Sequence, residues 1–328
     1  AVNGGNSGGP AISDGKLVGI IMSSLEDAEN TNYMVPVPVV EHFLKDISDG
    51  HYHGIPKVGI KLQDLENPDA RNFYRLSEEV SGQLISTVRP GMPADGVLKV
   101  GDVVTKVDGN RIANDGTVEF RPKEWTDWSY YVQKHQIGET VALTVIRDGQ
   151  ALDVELKLSA NIDEGRLVTK AIKSKPTYYI YGGIVFTPLS YSLMRAYDDS
   201  DGYWMFDVPD NMVDLALYTE PQVAGEEAII ISEVLTSSVN HGYEFIESER
   251  VIEVNGQKFK GLREMIDIIE RSNDEFVAFK LSNAKVVVIN HAKAESEQAA
   301  LFERYSVPAD RSVDLHEQEK VASTEKAK

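Results

Sequence analysis

The chain carries one pattern twice, and that duplication limits its architecture more than any other feature. DVVTKVDGNRIANDGTVEF is echoed by ERVIEVNGQKFKGLREMID: an apolar strand, an Asx-Gly turn and a downstream helix recur, with Val107-Asp108-Gly109 aligned on Val254-Asn255-Gly256. Upstream, KVGIKL has a counterpart in YGGIVFTPL, and GQLISTVRPGMPA has one in EAIIISEVLTSS. A supersecondary unit repeated at this length means two copies of a small domain, each with its own core. Such a division suits a chain of 328 residues.

The first copy spans 55–160. KVGIKL, GQLISTV, DVVTKVDG, ETVALTVIRDG and ALDVELKL alternate or are β-branched, as half-buried strands do. Asp108-Gly109 and Asp148-Gly149 supply hairpin turns. Between these strands, WTDWSYYVQKHQIG reads as a helix over 126–136 closed by Gly138. The second copy spans 170–292 and is interrupted at about 188–227, where acidic side chains crowd around Arg195 as the one basic residue. A solvated insertion is expected there. Asp198-Asp199-Ser200-Asp201-Gly202 lacks the alternating carboxylates and terminal Glu of an EF-hand loop, so no metal site is assigned to it. From 308 to 328 the chain is polar and reads as a disordered tail.

Residues 1–50 are a third element. KLVGIIMSS and NYMVPVPVV are apolar strands, the first entered through Ser13-Asp14-Gly15. VPVVEHFLKDI then places Val39, Val40, Phe43, Leu44 and Ile47 at helical spacing, and DGHYHGIPK reads as a linker. The chain has 52 acidic against 33 basic side chains, a formal net charge of −19. That balance argues against nucleic acid, whose phosphates need a cationic face, and against anionic lipid. No run approaches the roughly 18 apolar residues of a membrane-spanning helix. The absence of cysteine excludes disulfides and thiolate chemistry.

The chemistry is concentrated at Gly5-Asn6-Ser7-Gly8-Gly9-Pro10. As G-x-S-x-G this could be a hydrolase nucleophile elbow, but that motif needs a helix directly after the serine, and here a strand follows. The alternative is the nucleophile loop of an acyl-transfer site, in which glycines let backbone N–H groups turn toward a developing oxyanion and let substrate approach.

NGGNSGGP…GKLVGI, followed by NYMVPVPVVEHFL and two repeats, resembles the HtrA/Deg peptidases. LENPDAR, IANDGTV and the aromatic-rich start of the second repeat are similar to the branch that includes plant Deg peptidases. The resemblance implies a mainly β chain with short helices: the C-terminal part of a trypsin-like double β-barrel over 1–50, then two PDZ domains. It implies Ser7 as nucleophile and an oxyanion hole at Gly5, Asn6 and Ser7. Ile20, Ile21 and Met22 would border the primary specificity pocket and pair with substrate backbone. No metal or nucleotide cofactor is implied. Unfolded or damaged proteins and peptide C-termini would be the partners, in a homo-oligomer built on trimers. A bacterial member would reside in the periplasm or cell envelope.

PDZ domains hold an extended peptide between a strand and a helix, with backbone N–H groups cradling its carboxylate. Lys57-Val58-Gly59-Ile60 fits the cradle, with Trp128, Tyr131 and Val132 as groove lining. In the second copy Tyr181-Gly182-Gly183-Ile184 is a looser match, with Leu262, Met265, Ile266 and Ile269 on its helix. The same helix residues would equally suit a plain hydrophobic core.

In the family the general-base His and its Asp precede the serine, whereas here all seven histidines follow it. The chain therefore reads as N-terminally truncated. A non-catalytic peptide-binding scaffold or a chaperone-like holdase would carry the same repeats. Because an unassisted serine hydroxyl is a weak nucleophile, the 328-residue chain alone is expected to leave unfolded casein intact on a gel-based cleavage assay.

Overall fold

Asx-Gly pairs in left-handed backbone build the turns the two copies share. Asp108-Gly109 (φ 45° and 77°) and Asn255-Gly256 (φ 48° and 73°) adopt the same positive-φ turn, the geometry that matches strand twist. The two turns are equivalent in detail. Asp108 N–H donates to Ala142 O and Asn255 N–H to Ala278 O, each at 2.8 Å. Their side chains in turn accept from Ala142 N–H (3.1 Å) and Ala278 N–H (2.7 Å). The repeat read from sequence is thus a repeat of structure.

The computed structural model describes residues 5–24, 32–161, 163–170, 175–197 and 204–316. It divides into two units, Ala1–Glu164 and Gly165–Lys328. The chain is mainly β with short helices. Unit one opens with β1 (Pro10–Ser13), β2 (Lys16–Ser24) and β3 (Asn32–Pro36), an antiparallel three-stranded sheet, followed by α1 (Val37–Asp46). Its repeat copy comprises β4 (Ile60–Gln63), α2 (Pro68–Phe73), β5 (Gln83–Val88), β6 (Val103–Val107), β7 (Asn110–Arg111), β8 (Thr117–Arg121), β9 (Glu124–Asp127), α3 (Ser129–Gln133), β10 (Thr140–Arg147) and β11 (Gln150–Lys157). The sheet order β11-β10-β6-β5-β4 leaves β4 at an edge.

Unit two repeats this with additions: β12 (Tyr179–Tyr181), β13 (Ile184–Pro188), α4 (Tyr191–Met194), α5 (Asp210–Leu217), β14 (Ile229–Val234), β15 (Val251–Val254), α6 (Leu262–Arg271), β16 (Phe276–Leu281), β17 (Val286–Asn290) and α7 (His291–Tyr305). The strands form β12-β13-β14 and β15-β16-β17. Each copy has its own apolar core, one centred on Ile85, Val104, Val107 and Leu143, the other on Phe186, Ile231, Val254 and Phe279.

Three expectations change. The helix expected over 126–136 shrinks to α3, because Trp125–Asp127 pair into the β8–β9 hairpin and Asp127 Oδ1 starts the helix late by accepting Ser129 N–H. The stretch at 188–227 is more than a solvated loop. Met194, Val208, Met212 and Leu215 fold inward with Leu167, Val168 and Leu189 as a small separate core, while Asp207, Asp210 and Asp214 stay exposed. The Asp198–Gly202 stretch lies outside the described residues. Finally, 308–316 is ordered onto β12, with Leu315 buried, rather than a free tail.

Met212 is fully buried in the small core. Met212→Ala is expected to lower the stability of unit two by about 2–4 kcal/mol in urea denaturation, with β10 amide exchange in unit one unchanged. A merely solvated insertion would hold the change within about 0.5 kcal/mol.

Candidate active site and peptide-binding edges

Two glycines shape the loop around Ser7. Gly5 and Gly8 sit at φ 96° and 85°, where a side chain would be strained. The loop is clipped to β2 by its backbone: Gly8 N–H donates to Ile21 O (2.8 Å) and Ile21 N–H donates to Gly9 O (2.9 Å). Gly9 N–H closes the turn onto Asn6 O (2.9 Å). Ser7 stands at the exposed surface, its Oγ donating to Met22 O at 3.1 Å.

No described histidine is bonded to that hydroxyl. His42 meets His135 O, His53 meets Asp46, His135 meets Asp108, His241 meets Glu244, and His291 meets Tyr181. The residues grouped as a specificity wall separate. Ile21 and Met22 contact the serine loop through their backbones, whereas Ile20 lines a cavity of about 520 Å³ between α1 and α3, with Val35, Phe43, Tyr52 and Tyr130.

The stretch read as a linker is pinned rather than loose. Asp46 ends α1 almost wholly buried, and its Oδ2 accepts both His53 N–H and Gly54 N–H at 3.0 Å. His53 Nδ1 lies 3.2 Å from Asp46 Oδ1, and Asn161 Nδ2 donates to His53 O. Burial by itself would push the Asp46 carboxyl up, but the two N–H donors and His53 outweigh it and hold it below its ordinary value. Composition carried no signal for this carboxylate, since an Asp near a helix end is usually solvated.

Lys57-Val58-Gly59-Ile60 runs into β4. Ala94 N–H donates to Val58 O (3.0 Å) and Arg89 N–H to Gly59 O (2.9 Å). Since the peptide bonds here are trans, the planes turn Gly59 N–H and Ile60 N–H to the opposite side. Trp128 and Val132 do not line a groove. Both are core residues, and Trp128 Nε1 donates to Gln83 Oε1 at 3.1 Å. Tyr131 is half-buried and its hydroxyl donates to Glu119 O.

In unit two, Tyr181-Gly182-Gly183-Ile184 is a two-residue hairpin turn, with φ 56° and 84° at the glycines, instead of an open cradle. Leu262, Met265, Ile266 and Ile269 are all buried in the core. Sequence reasoning missed α7, whose start is marked by Asn290 capping Lys293 N–H.

Models described as PDZ domain match residues 56–158 and 168–314. Protease Do-like 2, chloroplastic, of Arabidopsis thaliana is 32% identical over 323 residues, covering 97% of this chain and 51% of that relative. Protease Do-like 4, mitochondrial, of the same plant is 32% identical over 317 residues, covering 96% and 57%. The chain thus spans a little over half the length of these curated relatives. The solved HtrA-type protease AlgW with decapeptide overlaps 48% of this chain and 46% of its own, at 20% identity and a TM-score of 0.36.

A depressed carboxyl stabilises the fold above its unfolded-state value, and that contribution is lost as pH falls through the folded value. Wild type is therefore expected to exceed Asp46→Asn in thermal stability from neutral pH down to about pH 5, with the gap closing below about pH 4. Calorimetry across that range checks the sign.

Proposed function

We propose that this chain, which carries two PDZ domains and is 32% identical over most of its length to Do-like (HtrA/Deg) proteases, is the nucleophile-bearing, peptide-capturing part of a serine endopeptidase of that family acting on unfolded or damaged proteins. Residues 1–50 form the C-terminal end of a trypsin-like domain. The observation that carries this reading is the Gly5–Gly9 turn, held on β2 by two backbone hydrogen bonds and closed on itself by a third, with the Ser7 hydroxyl at the surface.

Ser7 Oγ attacks the scissile carbonyl carbon, and the N–H groups of Gly5 and Ser7 stabilise the oxyanion. A His oriented by an Asp, both supplied from outside this chain, takes the serine proton and passes it to the leaving amine. Water then hydrolyses the acyl-enzyme. The apolar side chains exposed on this segment support further chain covering it: Ile12, Met22, Met34, Phe43 and Leu44 all stand in the open. Homotrimers built on that covered domain complete the proposal. One observation favours a binding-only role for the chain by itself: the Ser7 hydroxyl donates to Met22 O, and among the described residues no histidine is bonded to it.

In the intact protein, Ser7→Ala is expected to cut casein cleavage by at least about 10³-fold, as loss of a triad member does. Unchanged cleavage would sink the assignment. Retained suppression of aggregation by the same variant would add a holdase role.

A further inference from the structure

The strands that follow the two glycine loops occupy the same place in their domains. In both, the strand pairs with its successor across a bulge after its second residue: between Lys61 and Leu62 in β4, and between Val185 and Phe186 in β13. Ile60 opposes Val88 in the first copy, and Ile184 opposes Val234 in the second. Their other edges differ. Among the described residues β4 has no strand beyond it, so its outer N–H and C=O groups face outward. The corresponding edge of β13 is filled by β12, antiparallel, with Tyr179, Ile180 and Tyr181 opposite Phe186, Val185 and Ile184. An added peptide strand would lie there in that direction, ending at the glycine loop.

A further segment closes the outer side of β12. Ile180 N–H donates to Asp310 O (2.7 Å), Ser312 N–H to Tyr178 O (3.1 Å), and Tyr178 N–H to Ser312 Oγ (3.1 Å). Thr177 Oγ1 donates to Asp314 Oδ2 (2.8 Å). The Arg311 guanidinium lies 5.2 Å over the Tyr179 ring and pairs with Glu270 of α6. The segment therefore reaches the helix that would form the other wall of a groove. Leu315 anchors its end in the core.

The glycine turn is closed as well. Asn240, fully buried, donates from Nδ2 to Gly182 O (2.9 Å) and Leu235 O (2.8 Å). The hollow between the turn and α7 measures about 10 Å³, with Glu297 in its wall. That is room for about one water, beside a carboxylate of the wrong sign for a peptide C-terminus.

We propose that the second PDZ domain is occupied in cis: β12 sits on the β13 edge as its built-in ligand, strapped by Asp310–Leu315, so that peptide capture falls to the β4 edge unless the strap lifts and β12 leaves the β13 edge with it. The proposal rests on the reading of the PDZ domains as peptide receptors, and names which of the two is open. If the strap must lift before a peptide enters, apparent affinity scales with the strap-free fraction.

The test uses a peptide of the chain's own residues 175–181, Lys-Pro-Thr-Tyr-Tyr-Ile-Tyr, with a free carboxylate, a fluorophore and a photo-reactive group. With the wild-type chain, cross-links located by mass spectrometry are expected on β4 and α3 alone. The double variant Arg311→Ala, Ser312→Ala is expected to gain cross-links on β13 and α6, with at least a tenfold rise in apparent affinity there, about 1.4 kcal/mol. Equal labelling of β13 in wild type and variant overturns the proposal. Amide exchange on the wild type provides a readout free of folding defects. Protection of Ile180 and Ser312 to the level of β14 supports closure, and exchange at the rate of an exposed terminus refutes it. A peptide that labels neither domain defeats the receptor reading of the β4 edge, and the exchange result then decides closure independently.

Discussion

A strand at the edge of a sheet leaves a row of N–H and C=O groups that must find partners, and this requirement organises both units. After each glycine loop the chain enters a strand whose inner edge is paired and whose outer edge needs a solution. In unit one the outer edge of β4 is left to solvent or to an incoming chain. In unit two β12 and the 310–315 segment satisfy the same edge internally. One topological position therefore has two structural outcomes, an open edge in unit one and a filled edge in unit two.

Much of this was legible in residue pattern. Asx-Gly turns at 108–109 and 255–256 announced the duplication, because positive φ at two successive positions selects those residues, and the structure places both turns in the same hydrogen-bonded setting. The groove linings were not legible. Trp128, Val132, Met265 and Ile269 have the helical spacing of a ligand-facing stripe, yet all four are buried in their domain cores. Periodicity identifies an apolar face without saying what covers it.

Two further segments show why composition misleads. Counting charges made 188–227 look like a solvated loop. Four inward-facing side chains, Met194, Val208, Met212 and Leu215, are enough to fold it around a separate small core. Similarly, polar 308–316 has few apolar side chains to offset the entropy of its own ordering. It is ordered instead through backbone pairing with Tyr178 and Ile180, a contribution that hydropathy does not register. Asp46 belongs with these cases, since a buried carboxylate is stabilised by N–H groups eight residues along the chain or fewer, and no side-chain pattern advertises them.

By itself the sequence determined the repeat, the Asx-Gly turns and the glycine loop that sets Ser7 beside β2, because these depend on local backbone preference: at 14–15, 108–109, 148–149 and 255–256 the positive φ falls on Asp or Asn followed by glycine. Tertiary structure decided which strand edge stays open, where Ile20 and Trp128 point, and that Gly182-Gly183 closes a hairpin rather than a cradle. Those outcomes rest on partners far along the chain, such as Asp310 against Ile180 and Asn240 against Gly182. A hydrogen bond between distant residues is set by the whole fold, and neither partner's identity encodes it alone.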